Sequence, residues 1–169
     1  MIRVVNNVSL DGVMEAPEEW AAPYADDVLM QRAQQGMARP GAMLFGRRTY
    51  EQMAAFWPRR TDGNPFTEHL NRARKYVVST TLQEPLPWEN STVLALDDVA
   101  RLDEPTVILG SGELIRSLMQ QDLIDEFQLN IHPLVLGSGQ RLFTDNHAAF
   151  QLVDATPTTT GVVIATYRR

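Results

Sequence analysis

The chain has no cysteine among its 169 residues, which excludes disulfides, thiolate metal sites and a cysteine nucleophile. Histidine is scarce as well. His69, His132 and His147 make no H-x-x-x-H or H-E-x-x-H pattern, so no metal site is expected. No apolar run approaches the ~20 residues that a membrane-crossing helix needs. Met1-Ile2-Arg3-Val4-Val5-Asn6-Asn7 also lacks the apolar stretch of a secretory leader. A cytoplasmic protein with no membrane partner is the expectation. Basic residues are outnumbered, 15 against 21 acidic, and they form no stripe. That argues against a nucleic-acid surface and for a small-molecule ligand. Ordinary proportions of hydrophobic (44%) and charged (21%) residues, at a length suited to one core, predict a single domain over residues 1–169.

Two segments carry most of the chemistry: Leu44-Phe45-Gly46-Arg47-Arg48-Thr49-Tyr50 and Val107-Ile108-Leu109-Gly110-Ser111-Gly112-Glu113. Each reads as strand, glycine turn, helix. A glycine lets the chain turn tightly, and the helix that follows opens on unpaired N–H groups that attract anions. Arg47 and Arg48 sit at the positive end of a helix, which disfavours them unless an anion is bound there. Their planar forks match a phosphate monoester. Two such turns suit a ligand with several phosphates, and a dinucleotide with a 2′-phosphate is the natural candidate. The second turn is not the full G-x-G-x-x-G fingerprint, because Ile115 stands where the third glycine would fall. Each turn alone is equally compatible with plain turn chemistry.

Strand-like and helix-like patterns alternate along the chain. Ile2 to Val8 opens as a strand, and a polar, Pro-containing loop runs through Ala16 to Pro23. A helix is predicted from Asp26, with Val28, Leu29, Met30, Ala33 and Met37 at helical spacing and Gly36 with Pro40 closing it. Strand 42–45, helix 49–55, a helix over about 67–73 and strands 75–79, 92–95 and 106–109 follow. Helix 113–121 carries Leu114, Ile115, Leu118 and Met119 on one side. Up to this point a parallel sheet is expected. Strand 125–131 then alternates Phe127, Leu129 and Ile131 inward. Runs 149–155 and 159–168, joined at Thr156-Pro157-Thr158, predict an antiparallel hairpin. The fold class is therefore α/β with a mixed, mostly parallel central sheet and an antiparallel C-terminal hairpin.

Taken together, the order of elements and several segments resemble the dihydrofolate reductase superfamily, and within it the riboflavin-biosynthesis reductase branch, the RibD C-terminal domain. Ser9-Leu10-Asp11-Gly12 resembles that branch's S-L-D-G segment, and Gly46-Arg47-Arg48-Thr49 its G-R-x-T helix start. Lys75 to Thr80 resembles the strand ending in hydroxyl residues, and Gly110-Ser111-Gly112 the pyrophosphate turn. Pro133-Leu134-Val135-Leu136-Gly137-Ser138-Gly139 resembles the late P-x-x-x-G-x-G loop. The resemblance implies a three-layer, dihydrofolate-reductase-like domain and an NADPH-dependent reductase delivering hydride to a small heterocyclic or carbonyl substrate. That substrate would be pteridine-like, or the riboflavin-pathway 5-amino-6-(5-phosphoribosylamino)uracil. The resemblance further implies that Arg47, with Ser79 and Thr80, holds the 2′-phosphate, with Gly46 and Arg48 also in the cofactor site. Thr49 and the amides of Gly110, Ser111 and Gly112 would hold the pyrophosphate. It also implies a homodimer, which apolar strands near the C-terminus would suit.

At the substrate end Asp11 is the candidate contact, although an Asp-Gly pair is also ordinary turn chemistry. The folate enzyme carries a carboxylate on its first long helix, and the resemblance makes Asp26 or Asp27 its counterpart, although both are more simply N-terminal helix acids. Glu15, Trp20 and Trp57 either line the pocket mouth or pack beside it. A non-catalytic dinucleotide-binding module and a flavin-using reductase remain as alternative readings.

Overall fold

Short runs rich in apolar and β-branched residues build the strands, and the computed structural model describes all residues 1–169. The strands are β1 Ile2–Ser9, β2 Ala42–Gly46, β3 Lys75–Val78, β4 Ser91–Leu94, β5 Thr106–Leu109, β6 Glu126–His132, β7 Gln151–Pro157 and β8 Val163–Arg168. The helices are α1 Pro17–Trp20, α2 Asp27–Met37, α3 Arg47–Phe56, α4 Pro65–Arg72 and α5 Gly112–Gln120. All eight strands form one sheet in the order β4-β3-β2-β5-β1-β6-β8-β7. From β4 to β6 every pairing is parallel, while β8 runs antiparallel to β6 and β7 antiparallel to β8. The fold is α/β with a mixed, mostly parallel sheet and an antiparallel C-terminal hairpin.

The two faces differ. Ile2, Val4 and Val8 of β1, Leu44, Ile108, Phe127 and Leu129 point to one face and pack against Leu114, Ile115 and Leu118 of α5 in a core of 15 buried residues. Each such side chain contributes about 1.5–3 kcal/mol on burial. The spacing of Leu114, Ile115, Leu118 and Met119 gives α5 the apolar stripe that seats it there. On the opposite face Met43, Phe45 and Val77 meet Tyr50 of α3, Leu70 of α4 and Trp88 in a smaller core of six. Below it the fully buried Lys75 donates from Nζ to the carbonyls of Asn71, Ala73 and Glu89, and its ammonium lies over the Trp88 ring. This caps the C-terminal end of α4 with a cation. Helix α2 lies on the second face too, with Asp26 as its cap accepting from Leu29 N at 2.9 Å.

Three sequence expectations change. The stretch 16–23 is not loop throughout. It contains α1 and a single 3₁₀ turn, Ala22–Tyr24, elements too short to show a helical period. The last hairpin does not turn at Thr156-Pro157-Thr158. Thr156 and Pro157 belong to β7, and the connection runs from Thr158 to Val162, closed by Thr158 N donating to Val162 O. Pro157 fits because β7 is the edge strand, where no ladder donor is required. Finally, β6 buries Glu126 and Gln128 as well as Phe127 and Leu129, because helices cover both faces of the sheet.

Candidate functional site

In an open parallel sheet, ligands bind beyond the carboxyl ends of the strands. Here the carboxyl ends of β2, β3 and β5 border a cavity of about 480 Å³, within the size range of cofactor sites. Its lining includes Gly46, Arg47, Arg48 and Thr49 from the β2–α3 turn, Ser79, Thr80 and Thr81 after β3, and Ser111, Gly112 and Glu113 from the β5–α5 turn. Sequence segments far apart are thus brought together, and the N-termini of α3 and α5 open on the same space.

The two turns are stitched to each other. Ser111 N donates to Thr49 Oγ1 at 3.1 Å, and Gly46 N donates to Ser111 Oγ at 3.1 Å. Gly110 N donates to Asn6 Oδ1 at 2.7 Å, tying the turn to β1. These bonds hold Ser111 at φ 59, a left-handed conformation that costs a non-glycine residue about 1–2 kcal/mol. Gly110, at φ +68, is left-handed as well, and a Cβ there would come within 3.2 Å of Thr49 Cγ2. The amides of Gly110 and Ser111 are therefore engaged inside the protein. Those of Gly112 and Glu113, at the start of α5, have no intrahelical acceptor and face the cavity.

Arg47 lies at the other end. Its Nη1 donates to Thr81 Oγ1 at 2.9 Å, and its Nε is 3.8 Å from Glu51. Ser79 Oγ accepts from the amides of Thr81 and Leu82, fixing the turn that presents these hydroxyls. Arg48 pairs across the cavity with Glu113 at 3.3 Å, both side chains being largely exposed. Val78, Gln140, Ser117, Leu96 and Leu114 complete the lining. No local pattern in the sequence singles them out. Gln140 arrives on a distant loop whose backbone is bound to Met14 and Glu15.

Asp11 does not line this cavity. Its carboxylate accepts from Ser9 Oγ at 2.6 Å and from the amides of Leu136 and Gly137 at 3.1 and 2.9 Å, with Arg141 at 3.6 Å. It anchors the 133–141 loop to the end of β1. The Ser9 hydroxyl first, then the Leu136 and Gly137 amides, hold its pKa down to about 2. A depressed carboxylate pKa contributes stability that is present above the unfolded value of ~4 and lost as pH falls toward the folded value. Asp11→Asn is therefore expected to lower the melting temperature at pH 6. The gap to wild type should close as pH falls from about 4 to 2. Melts across that range check this, and a gap independent of pH would contradict it.

Asp26 is held as a cap, its second oxygen accepting from Thr159 N and Oγ1 at 2.8 and 2.7 Å, and Asp27 is exposed. Glu15 accepts from Gln140 N, Trp57 packs on the smaller core, and Trp20 stands edge-on to the buried His132 ring.

Comparison with known proteins gives three kinds of match. A family model described as the RibD C-terminal domain matches residues 1–164. Among curated proteins, the uncharacterized YyaP of Bacillus subtilis is 29% identical over 140 residues, covering 74% of this chain and 72% of that protein. Among solved structures, a Shewanella sp. PV-4 protein carrying a provisional riboflavin-biosynthesis name superposes with a TM-score of 0.74 at 21% identity, covering 99% of this chain and 98% of the other. A pyrimidine reductase-like protein of Corynebacterium diphtheriae gives 0.69 at 12% identity, over 99% and 91%. The dihydrofolate reductase of Enterococcus faecalis, solved with NADP(H) and RAB-propyl, gives 0.66 at 14%, over 100% and 96%. These likenesses establish the dihydrofolate-reductase-like fold.

Proposed function

The chain belongs to the RibD C-terminal domain family, and from that premise we propose that it is an NADPH-dependent reductase of a small heterocyclic substrate. One observation carries the reading. A single cavity at the strand ends joins an arginine–hydroxyl cluster, Arg47 with Ser79, Thr80 and Thr81, to the free amides of Gly112 and Glu113. The first group has the chemistry for a phosphate monoester and the second for a pyrophosphate. Gly46, Arg48 and Thr49 form the wall between them; the Ser111 amide is taken up by Thr49, while the Thr49 and Ser111 hydroxyls accept within the turn and keep their own protons for a phosphate oxygen. Bound there, NADPH supplies the hydride. The chain's own residues hold the dinucleotide and orient it along the ends of β3, β2 and β5 toward β1.

Calorimetric titration of NADPH and NADH into the purified protein tests this. The reading expects NADPH to bind at least about tenfold more tightly, because only its 2′-phosphate answers Arg47. Equal affinities, or no binding of either, would refute it.

The same reading includes a homodimer. Edge strand β7 leaves Leu152 and Val153 about half exposed at an unpaired sheet edge. Light scattering is expected to give twice the chain mass of 19.0 kDa. A single-chain mass at micromolar concentration would dismiss the dimer and leave the reductase reading intact.

A further inference from the structure

At the end of the sheet away from the cavity, charges of one sign stand side by side. Arg3 of β1 is in register with Glu126 of β6, and Glu126 with Arg168 of β8, so the three side chains form a row on the face that α2 covers. Arg39, just beyond the end of α2, joins them. Glu126 is 2% exposed and both its oxygens are engaged: Arg168 Nε donates to Oε2 at 2.7 Å, and Arg39 Nη1 lies 3.8 Å from Oε1. Arg3 is left over. It is 7% exposed, and its guanidinium has neither a hydrogen bond nor an ion pair within the protein, so it does not cap α2 although Nη2 lies beside Gly36. None of its nitrogens is sealed off, and the group is reached from solvent. The acids that precede Glu126 in the chain are taken: Asp125 accepts from Ile2 N at 2.6 Å, and Asp122 pairs with Arg169 at 2.6 Å. Burial, and then the Arg39 charge, push the Arg3 pKa down, and Glu126 offsets this only in part. Three guanidinium groups thus share one carboxylate, an excess of two positive charges in a chain whose net charge is −6. Buried arginines are almost always paired, because an unpaired charge out of water is costly. If Arg3 merely laid its stem under α2, that cost would stand, and methionine would fill the same space without it.

We propose that Arg3, Arg39 and Arg168 form a binding site for a doubly charged tetrahedral oxyanion, either free phosphate or the phosphate of a small monoester. Two negative charges are what the cluster lacks, and guanidinium forks match phosphate oxygens pairwise. Glu126 is the buttress. It holds Arg168 through Nε and Arg39 through Nη1, which leaves the other N–H groups of both, and the whole fork of Arg3, for the anion. A carboxylate ligand would bring one charge and two acceptor atoms, and would satisfy the cluster less well. The site is separate from the cofactor cavity. Arg3 and Glu126 lie at the amino ends of β1 and β6, whereas the cavity lies beyond the carboxyl ends of the strands parallel to them. Its occupant therefore does not compete with a dinucleotide, and the inference stands apart from the reductase reading.

The test is an amide NMR titration of the protein with inorganic phosphate, ionic strength being held constant with chloride. A saturable group of shifts is expected at Arg3, Arg39, Glu126 and Arg168, distinct from any at Arg47–Thr49 and Ser79–Thr81. Sulfate should reproduce it, and acetate should bind about tenfold or more weakly. Arg3→Met is expected to weaken phosphate at this group by about tenfold or more, and Arg39→Gln by about threefold or more. In phosphate-free buffer Arg3→Met should melt no lower than wild type, since the group removed has no partner to lose. Methyl phosphate separates the two sources of the anion. Affinity equal to that of phosphate assigns the site to a monoester, and much weaker binding assigns it to the free ion. Shifts that never saturate, or that chloride produces as readily, overturn the inference. So does phosphate binding that Arg3→Met leaves unchanged. An Arg3→Met variant that melts well below wild type or fails to fold overturns it too, because Arg3 would then be a structural support.

Discussion

Arg47→Ala is expected to weaken NADPH binding by about ten- to a hundredfold and to change NADH by less than about threefold. The guanidinium is anchored on Thr81 at 2.9 Å but about half exposed, so a charge-assisted bond to the 2′-phosphate falls toward the lower end of that range. Glu113→Gln supplies a counterpart of opposite sign. Its carboxylate lies at the start of α5, beside the amides proposed for the pyrophosphate, and pairs with Arg48 across the cavity. Removing that charge should tighten NADPH and NADH alike by a few fold at low ionic strength, and the gain should fade in about 1 M salt. Calorimetry on both variants with both cofactors decides the matter. If Arg47→Ala loses NADPH and NADH equally, Arg47 does not serve the 2′-phosphate.

Gly41→Ala is expected to destabilise the fold by about 3 kcal/mol or more, lowering the melting temperature by roughly 6–12 °C. Gly41 lies at φ +149, and a Cβ there would come 2.3 Å from the carbonyl oxygen of Pro105. That oxygen cannot move aside freely, because it accepts from Ala42 N at 2.9 Å and so helps to place β2 beside β5. Gly63→Ala is the control. Its φ is +65 but no atom lies within 4 Å of the added Cβ, so only the backbone preference of about 1 kcal/mol should be lost. Thermal melts of the two variants separate collision from backbone strain, and equal losses would show that the contact with Pro105 is not what requires glycine.

The legible parts of the fold are those where one local signal sufficed. Asp26 before an apolar-periodic stretch marked α2, and it is the cap. Leu114, Ile115, Leu118 and Met119 marked α5, and they seat it on the main core. The two glycine turns were legible for the same reason, since glycine before a helix is a backbone requirement that the residue type itself records. Long-range partners were not. Nothing beside Gly110 in the sequence reveals that Asn6, more than a hundred residues away, takes its amide. Nothing local to Asp11 reveals that the amides of Leu136 and Gly137 return to its carboxylate. Gln140 and Ser117 carry no signal of their own and reach the cavity only through the packing of loop and helix.

The central claim is that the dinucleotide lies along the carboxyl ends of β3, β2 and β5, with its pyrophosphate on the α5 N-terminus. Backbone amide NMR shifts recorded while NADPH is added test it most directly. The account predicts the largest shifts at Gly112 and Glu113, with a second group at Arg47–Thr49 and Ser79–Thr81. Gly110 and Ser111, whose amides already donate to Asn6 and Thr49, should move less. Shifts centred elsewhere on the sheet, or a spectrum that NADPH leaves unchanged, would contradict it.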